Sequence, residues 1–200
     1  MAIFNKKVKQ EVQEEEDVNV LKEIIGMILY IAVVVLLIYL FITYVGQRTE
    51  VDGGSMNSTL SHGESLWINK LAYRMGEPER FDIVVFPVND SSVYYVKRII
   101  GMPGETVSID EEGHVLINGE ILDDPYDAEL IDEYHRGRLA DGGEVTLGAD
   151  EYFVMGDNRN NSLDSRDEMV GNITRKRLEG KVVLRMWPLD VFGPIPEPEE

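Results

Sequence analysis

Phe81-Asp82-Ile83-Val84-Val85-Phe86 and Val93-Tyr94-Tyr95-Val96-Lys97-Arg98-Ile99-Ile100 are two runs rich in β-branched and aromatic residues. Pro87 ends the first, Asn89-Asp90-Ser91-Ser92 has turn chemistry, and Gly101-Met102-Pro103-Gly104 ends the second. Such a pair reads as antiparallel strands joined by a loop. Outward from it the same punctuation recurs. Ser65-Leu66-Trp67-Ile68-Asn69 has strand character. Thr106 to Ile109, His114 to Ile117 and Glu120 to Leu122 are short strands broken by the hairpin signals Glu112-Gly113 and Asn118-Gly119. Glu151 to Gly156 and Lys181 to Met186 complete the set, with a short helix predicted over 174–179. Many short strands and almost no helix predict an all-β, antiparallel sandwich or barrel.

The N-terminal quarter differs. From Ile24 to Gly46 the chain carries no charge and is dominated by Ile, Val, Leu, Tyr and Phe. A helix of that length spans a hydrocarbon core of roughly 30 Å. It is too long for the apolar region of a cleaved signal peptide, and no small-x-small cleavage site follows it. Lys6, Lys7, Lys9 and Lys22 precede the span and Arg48 follows it, which predicts a cytoplasmic N-terminus and an external remainder. The domain reading is a cytoplasmic tail over 1–23, a transmembrane helix over 24–46, a β-rich extracytoplasmic domain over 47–193 and a disordered, proline-rich tail over 194–200. Residues 1–20 read as disordered or a frayed helix. Residues 123–143, acidic and without a clean period, read as a mobile surface insertion.

Composition narrows the chemistry. Across 200 residues, 19 Lys+Arg against 37 Asp+Glu leave a net charge of −18, which argues against nucleic acid as a partner. The chain has no cysteine, so disulfides and thiol catalysis are excluded. Three scattered histidines without ligand spacing argue against zinc. Asp157 to Glu168 has the length of a calcium loop, but Arg159 and Ser162 occupy positions where an acid or amide and a glycine are required. No metal and no cofactor are expected.

Three stretches have chemical potential. Val51-Asp52-Gly53-Gly54-Ser55-Met56-Asn57-Ser58-Thr59-Leu60 is a small-residue turn presenting Ser55, although most such serines only solvate a loop. His62, His114 and His135 lack the surroundings of a triad base. Lys97 stands in a run that otherwise favours burial, and burial lowers an amine toward a usable base. The alternative is an edge-strand lysine that blocks sheet association, which composition alone favours. Gly156-Asp157-Asn158-Arg159-Asn160-Asn161-Ser162-Leu163-Asp164-Ser165-Arg166 is dense enough in donors and acceptors to hold a loop rigid.

In this order, behind one span, these segments resemble bacterial type I signal peptidases (leader peptidases) of the Gram-positive type. The likeness rests on Gly54-Ser55-Met56-x-x-Thr59-Leu60, Phe81 to Phe86, Tyr95 to Glu105 and Gly156 to Arg166. It implies a membrane-anchored Ser–Lys endopeptidase that removes signal peptides at Ala-x-Ala sites. Its partners would be preproteins, the lipid bilayer and a nearby secretion translocase. By the resemblance, Ser55 is the nucleophile, Lys97 the general base and Ser162 the residue orienting the lysine. Asp164 and Arg166 support it, with Asp157 and Arg159 structural. Met56, Leu60, Val85, Tyr95 and Val96 match positions lining shallow substrate pockets, and the strand at 94–96 would pair with substrate. About nine residues separate the span from Ser55, ~30 Å when extended, so the site is expected close to the membrane surface. Two departures stand out. The family usually has proline where Ser58 stands, and some members carry a second oxyanion-donating hydroxyl where Gly53 stands. Competing expectations are a Ser–Lys peptidase with a narrow, pilus- or conjugation-associated substrate set, and an inactive tethered homologue acting as a binding module.

Overall fold

Strand formation here follows from burial. The computed structural model describes residues 2–88, 93–126 and 129–195, with side chains from Val20 onward except Leu21. The chain divides into two units, residues 1–44 and 45–200. The first is a single helix, α1 (Ala2–Tyr44), so the backbone of the polar stretch before the span is helical from Ala2. Within it Lys22–Tyr44 is long and apolar enough to cross a membrane, and its large apolar side chains are exposed all round, as lipid-facing residues are. The helix ends at Tyr44, two residues before the sequence-read boundary, because Gly46 already pairs in a strand.

The second unit is antiparallel β. The larger sheet runs β1 (Gly46–Glu50), β2 (Ser65–Asn69), β11 (Gly180–Trp187), β3 (Ile83–Pro87), β4 (Tyr94–Gly101), β9 (Glu151–Met155) and β10 (Ile173–Thr174), with β12 (Gly193–Pro194) on β11. The smaller sheet orders β7 (Glu120–Ile121), β6 (Val115–Ile117), β5 (Thr106–Ile109) and β8 (Glu144–Thr146). In β3 and β4 Val84 lies opposite Lys97 and Val85 opposite Val96. Both strands are buried over most of their length, which explains their continuous rather than alternating apolar pattern. The loop residues 89–92 lie outside the described residues.

Three apolar clusters divide the interior. One holds Val84, Phe86, Ile99 and Val154. Another holds Met56, Leu60, Leu66, Ile68 and Val85. The third, between the end of β4 and the smaller sheet, holds Ile100, Val107, Phe153, Ile131 and Leu139. The last two residues belong to the stretch read as a mobile insertion. Its described part instead folds into 3₁₀ turns at Glu133–His135 and Gly137–Gly142, pinned by the fully buried Ile131 and Leu139. The helix expected over 174–179 is one 3₁₀ turn, Arg175–Arg177, and a short helix α2 (Ala72–Met75) follows β2.

Candidate active site

Ser55 lies on the turn between β1 and β2. Backbone bonds from Val51 N to Glu64 O and from Gly63 N to Val51 O close that loop at its base. Arginine and amide side chains hold the turn itself. Arg185 donates to Thr59 O at 2.7 Å and Arg98 to Thr59 Oγ1 at 3.2 Å. Asn158 grips the residues at the hydroxyl, its N–H donating to Ser55 O at 3.1 Å and its carboxamide to Gly54 O at 2.9 Å. Gly156 makes that approach feasible, since a Cβ there would fall 2.3 Å from both Ser55 O and Ser162 Oγ.

Lys97 comes from the middle of β4 and is 4 % exposed, not an edge-strand residue. Its Nζ lies 2.6 Å from Ser55 Oγ and 3.1 Å from Val96 O, with the Tyr95 ring centroid at 5.1 Å. Burial pushes the amine down to about 8, against the pull of the Asp164 and Asp157 charges in the other direction. A hydroxyl bonded to an amine that loses its proton near neutral pH can be deprotonated for attack on a carbonyl.

The polar loop after β9 supplies the surroundings. Asp164 is fully buried and accepts from Gly156 N–H at 3.0 Å and from Arg166 through Nε at 2.9 Å and Nη2 at 2.8 Å. Burial alone would raise its carboxyl, but the Arg166 hydrogen bonds and charge outweigh that and hold it below the usual range. Asp157 makes a two-point bond with Arg98, at 2.8 and 2.6 Å, and Arg159 pairs with Asp124. The Ser162 hydroxyl is buried without a hydrogen-bond partner, close enough to Asp164 to help lower its pKa but not in bonding geometry. No bond joins it to Lys97 among the described residues.

An open cleft of about 270 Å³ runs past the pair, lined by Met56, Tyr95, Val96, Asn161 and Leu163 besides Ser55 and Lys97. Leu60 and Val85, read as pocket residues, are buried in the same apolar cluster as Met56 and are not among the residues lining this cleft. Sequence reasoning missed Arg98 and Asn158, which latch the turn to the loop. Both stood in the quoted motifs, but only the fold shows what they reach. The histidines engage elsewhere: His62 Nδ1 accepts from Gly53 N–H at 3.2 Å, while His114 and His135 bond Asp110 and Asp132.

Residues 21–187 match the sequence model of the family described as signal peptidase, peptidase S26. The chain belongs to that family. All four motif segments fall inside the match. Signal peptidase I P of Bacillus subtilis subsp. natto is 36% identical over 170 residues, covering 84% of this chain and 91% of that protein. Signal peptidase I of Bacillus amyloliquefaciens is 42% identical over 141 residues, covering 69% and 72%. A crystal structure of a signal peptidase I from Enterococcus faecalis aligns at 32% identity with a TM-score of 0.43, covering 52% of this chain and 96% of that one. Membership rests on the sequence matches, and with it comes the enzyme class: a signal peptidase of the Gram-positive type, with an N-terminal helix suited to anchoring it in a membrane.

Proposed function

We propose that this signal peptidase cleaves preproteins after small residues with Ser55 as nucleophile and Lys97 as general base. The observation that carries the reading is the 2.6 Å contact between Ser55 Oγ and a buried Lys97 Nζ. In the first half-reaction Oγ bonds to the scissile carbonyl carbon while its proton passes to the neutral amine. The tetrahedral oxyanion then collapses, the C–N bond breaks, and the Lys97 ammonium returns that proton to the departing amine. Water, deprotonated by the same amine, hydrolyses the acyl-enzyme and restores Ser55. Ser162, whose buried hydroxyl lies beside Asp164, is assigned to holding the lysine, while the Asp164–Arg166 and Asp157–Arg98 pairs keep the loop in place.

Met56, Tyr95 and Val96 line the cleft that would meet substrate, and they are assigned to favouring Ala-x-Ala over bulkier sites by clash. The exposed edge near Tyr94 suits strand pairing with an extended peptide. We assign α1 as a single-pass anchor with its N-terminus cytoplasmic and residues 47–193 external, from the lysine bias before the span. That topology puts the enzyme beside the bilayer and the secretion translocase, where its substrates emerge. The test is cleavage of a preprotein with an Ala-x-Ala site by the full-length enzyme, Ser55→Ala and Lys97→Ala. Both variants are expected to fold and lose activity; processing that survives Lys97→Ala would sink the dyad.

A further inference from the structure

This inference rests on the serine mechanism just described. Acyl transfer places a full charge on the carbonyl oxygen, and enzymes meet it with donors set in advance. The N–H of Ser55 is one such donor, with no hydrogen-bond partner among the described residues. The position two residues earlier offers little more. Gly53 has no hydroxyl, and its N–H is already given to His62 Nδ1 at 3.2 Å. Asn158 gives one carboxamide N–H to Gly54 O at 2.9 Å, which holds that group against the turn's backbone.

Asn161 is different. It lines the cleft together with Ser55 and Lys97, and its carboxamide has no partner among the described residues. Its backbone is fixed, the N–H donating to Asn158 O at 3.0 Å, and Asn158 in turn holds Ser55. Asn161 is exposed on a turn that borders the cleft, so its carboxamide is free to swing toward an oxyanion forming at Ser55. We propose that the Asn161 carboxamide is the second oxyanion donor of this enzyme, supplying what Gly53 cannot.

The experiment compares kcat and KM of the full-length enzyme with Asn161→Ala and Asn161→Asp on one preprotein, at a pH on the activity plateau. Removing one oxyanion donor costs roughly 10²–10³ in kcat with little change in KM. Asp keeps the shape of Asn but can only accept, so it repels the developing charge and should fall below Ala. A merely structural Asn161 gives the opposite order, because the isosteric Asp preserves packing. The proposal is overturned if Asn161→Ala keeps kcat within a few-fold of the parent, or if Asn161→Asp is the more active variant. Ser55→Ala run alongside separates the two readings: cleavage by that variant removes the serine mechanism itself, whatever Asn161 does.

Discussion

The burial of Lys97 makes a quantitative prediction about pH. With its amine held at about 8, half of the free enzyme carries a neutral base at that pH. About one molecule in eleven does so at pH 7 and about one in a hundred at pH 6. kcat/KM should therefore climb tenfold per pH unit on the acid side and level off above pH 9. Left at its ordinary value of 10.5, the same lysine would leave the enzyme roughly 300-fold less active at pH 7, with the limb still rising at pH 10. Folding carries the same signature with a definite sign. Between pH 8 and 10.5 the unfolded chain binds the proton that the folded chain has released, so stability rises with pH across that window. Below pH 8 the folded state bears the full penalty, about 3 kcal/mol. The assay is initial-rate cleavage of a preprotein from pH 5.5 to 10.5 in detergent, with Lys97→Met melted at pH 7 and pH 10 beside the parent. Lys97→Met should gain stability relative to the parent at pH 7 and lose much of that gain by pH 10. A rate that is flat between pH 6 and 8, or one without a plateau by pH 10, refutes the reasoning.

Ser58 sits at φ 91°, a region costly for any L-residue but free to glycine. Ser58→Gly should stabilise the fold by about 1 kcal/mol in denaturant titration, whereas Ser58→Pro, with φ locked near −65°, should lower both stability and turnover. Asp157→Asn removes one charge of a fully buried pair and should cost about 3–5 kcal/mol, with kcat falling as Arg98 loosens its hold on Thr59. Leu139→Ala empties a fully buried position and should cost about 2–5 kcal/mol; a cost near zero would mean that the stretch after Ile131 floats free of the core.

The strands legible in the sequence were those whose side chains carry their own signal. β3 and β4 are continuous apolar runs, and β5, β6 and β7 are separated by glycine turns. β1 and β8 gave little warning, because Gly46-Gln47-Arg48-Thr49-Glu50 and Glu144-Val145-Thr146 are mostly polar and become strands by pairing with β2 and β5. The region around Ile131 and Leu139 looked mobile because two apolar anchors on 3₁₀ turns make no period. Ser55 and Lys97, which the structure brings to 2.6 Å, were singled out by their motifs. Leu60 and Val85 pack in the buried cluster with Met56, of which only Met56 reaches the cleft lining, and that division is visible only in the packing.

The composition of the loop after β9 follows from the same electrostatics. A buried amine close to Asp157 and Asp164 should hold its proton, and both charges do pull it that way. What prevents an ordinary lysine–aspartate ion pair is that each carboxylate is already engaged. Asp164 takes two bonds from Arg166, and Asp157 takes two from Arg98. Arg166 also acts on Lys97 directly, lowering its pKa. Neutralised pairs exert far weaker fields than bare carboxylates, so desolvation is left to dominate at Nζ. The arginines have a second task, since Arg98 reaches on to Thr59 and so ties the turn carrying Ser55 to the strand carrying Lys97. The dense charge of this loop thus has two effects: its internal pairing limits how far the two carboxylates can raise the Lys97 amine against the burial that lowers it, and its bonds fix the hydroxyl that the lysine faces.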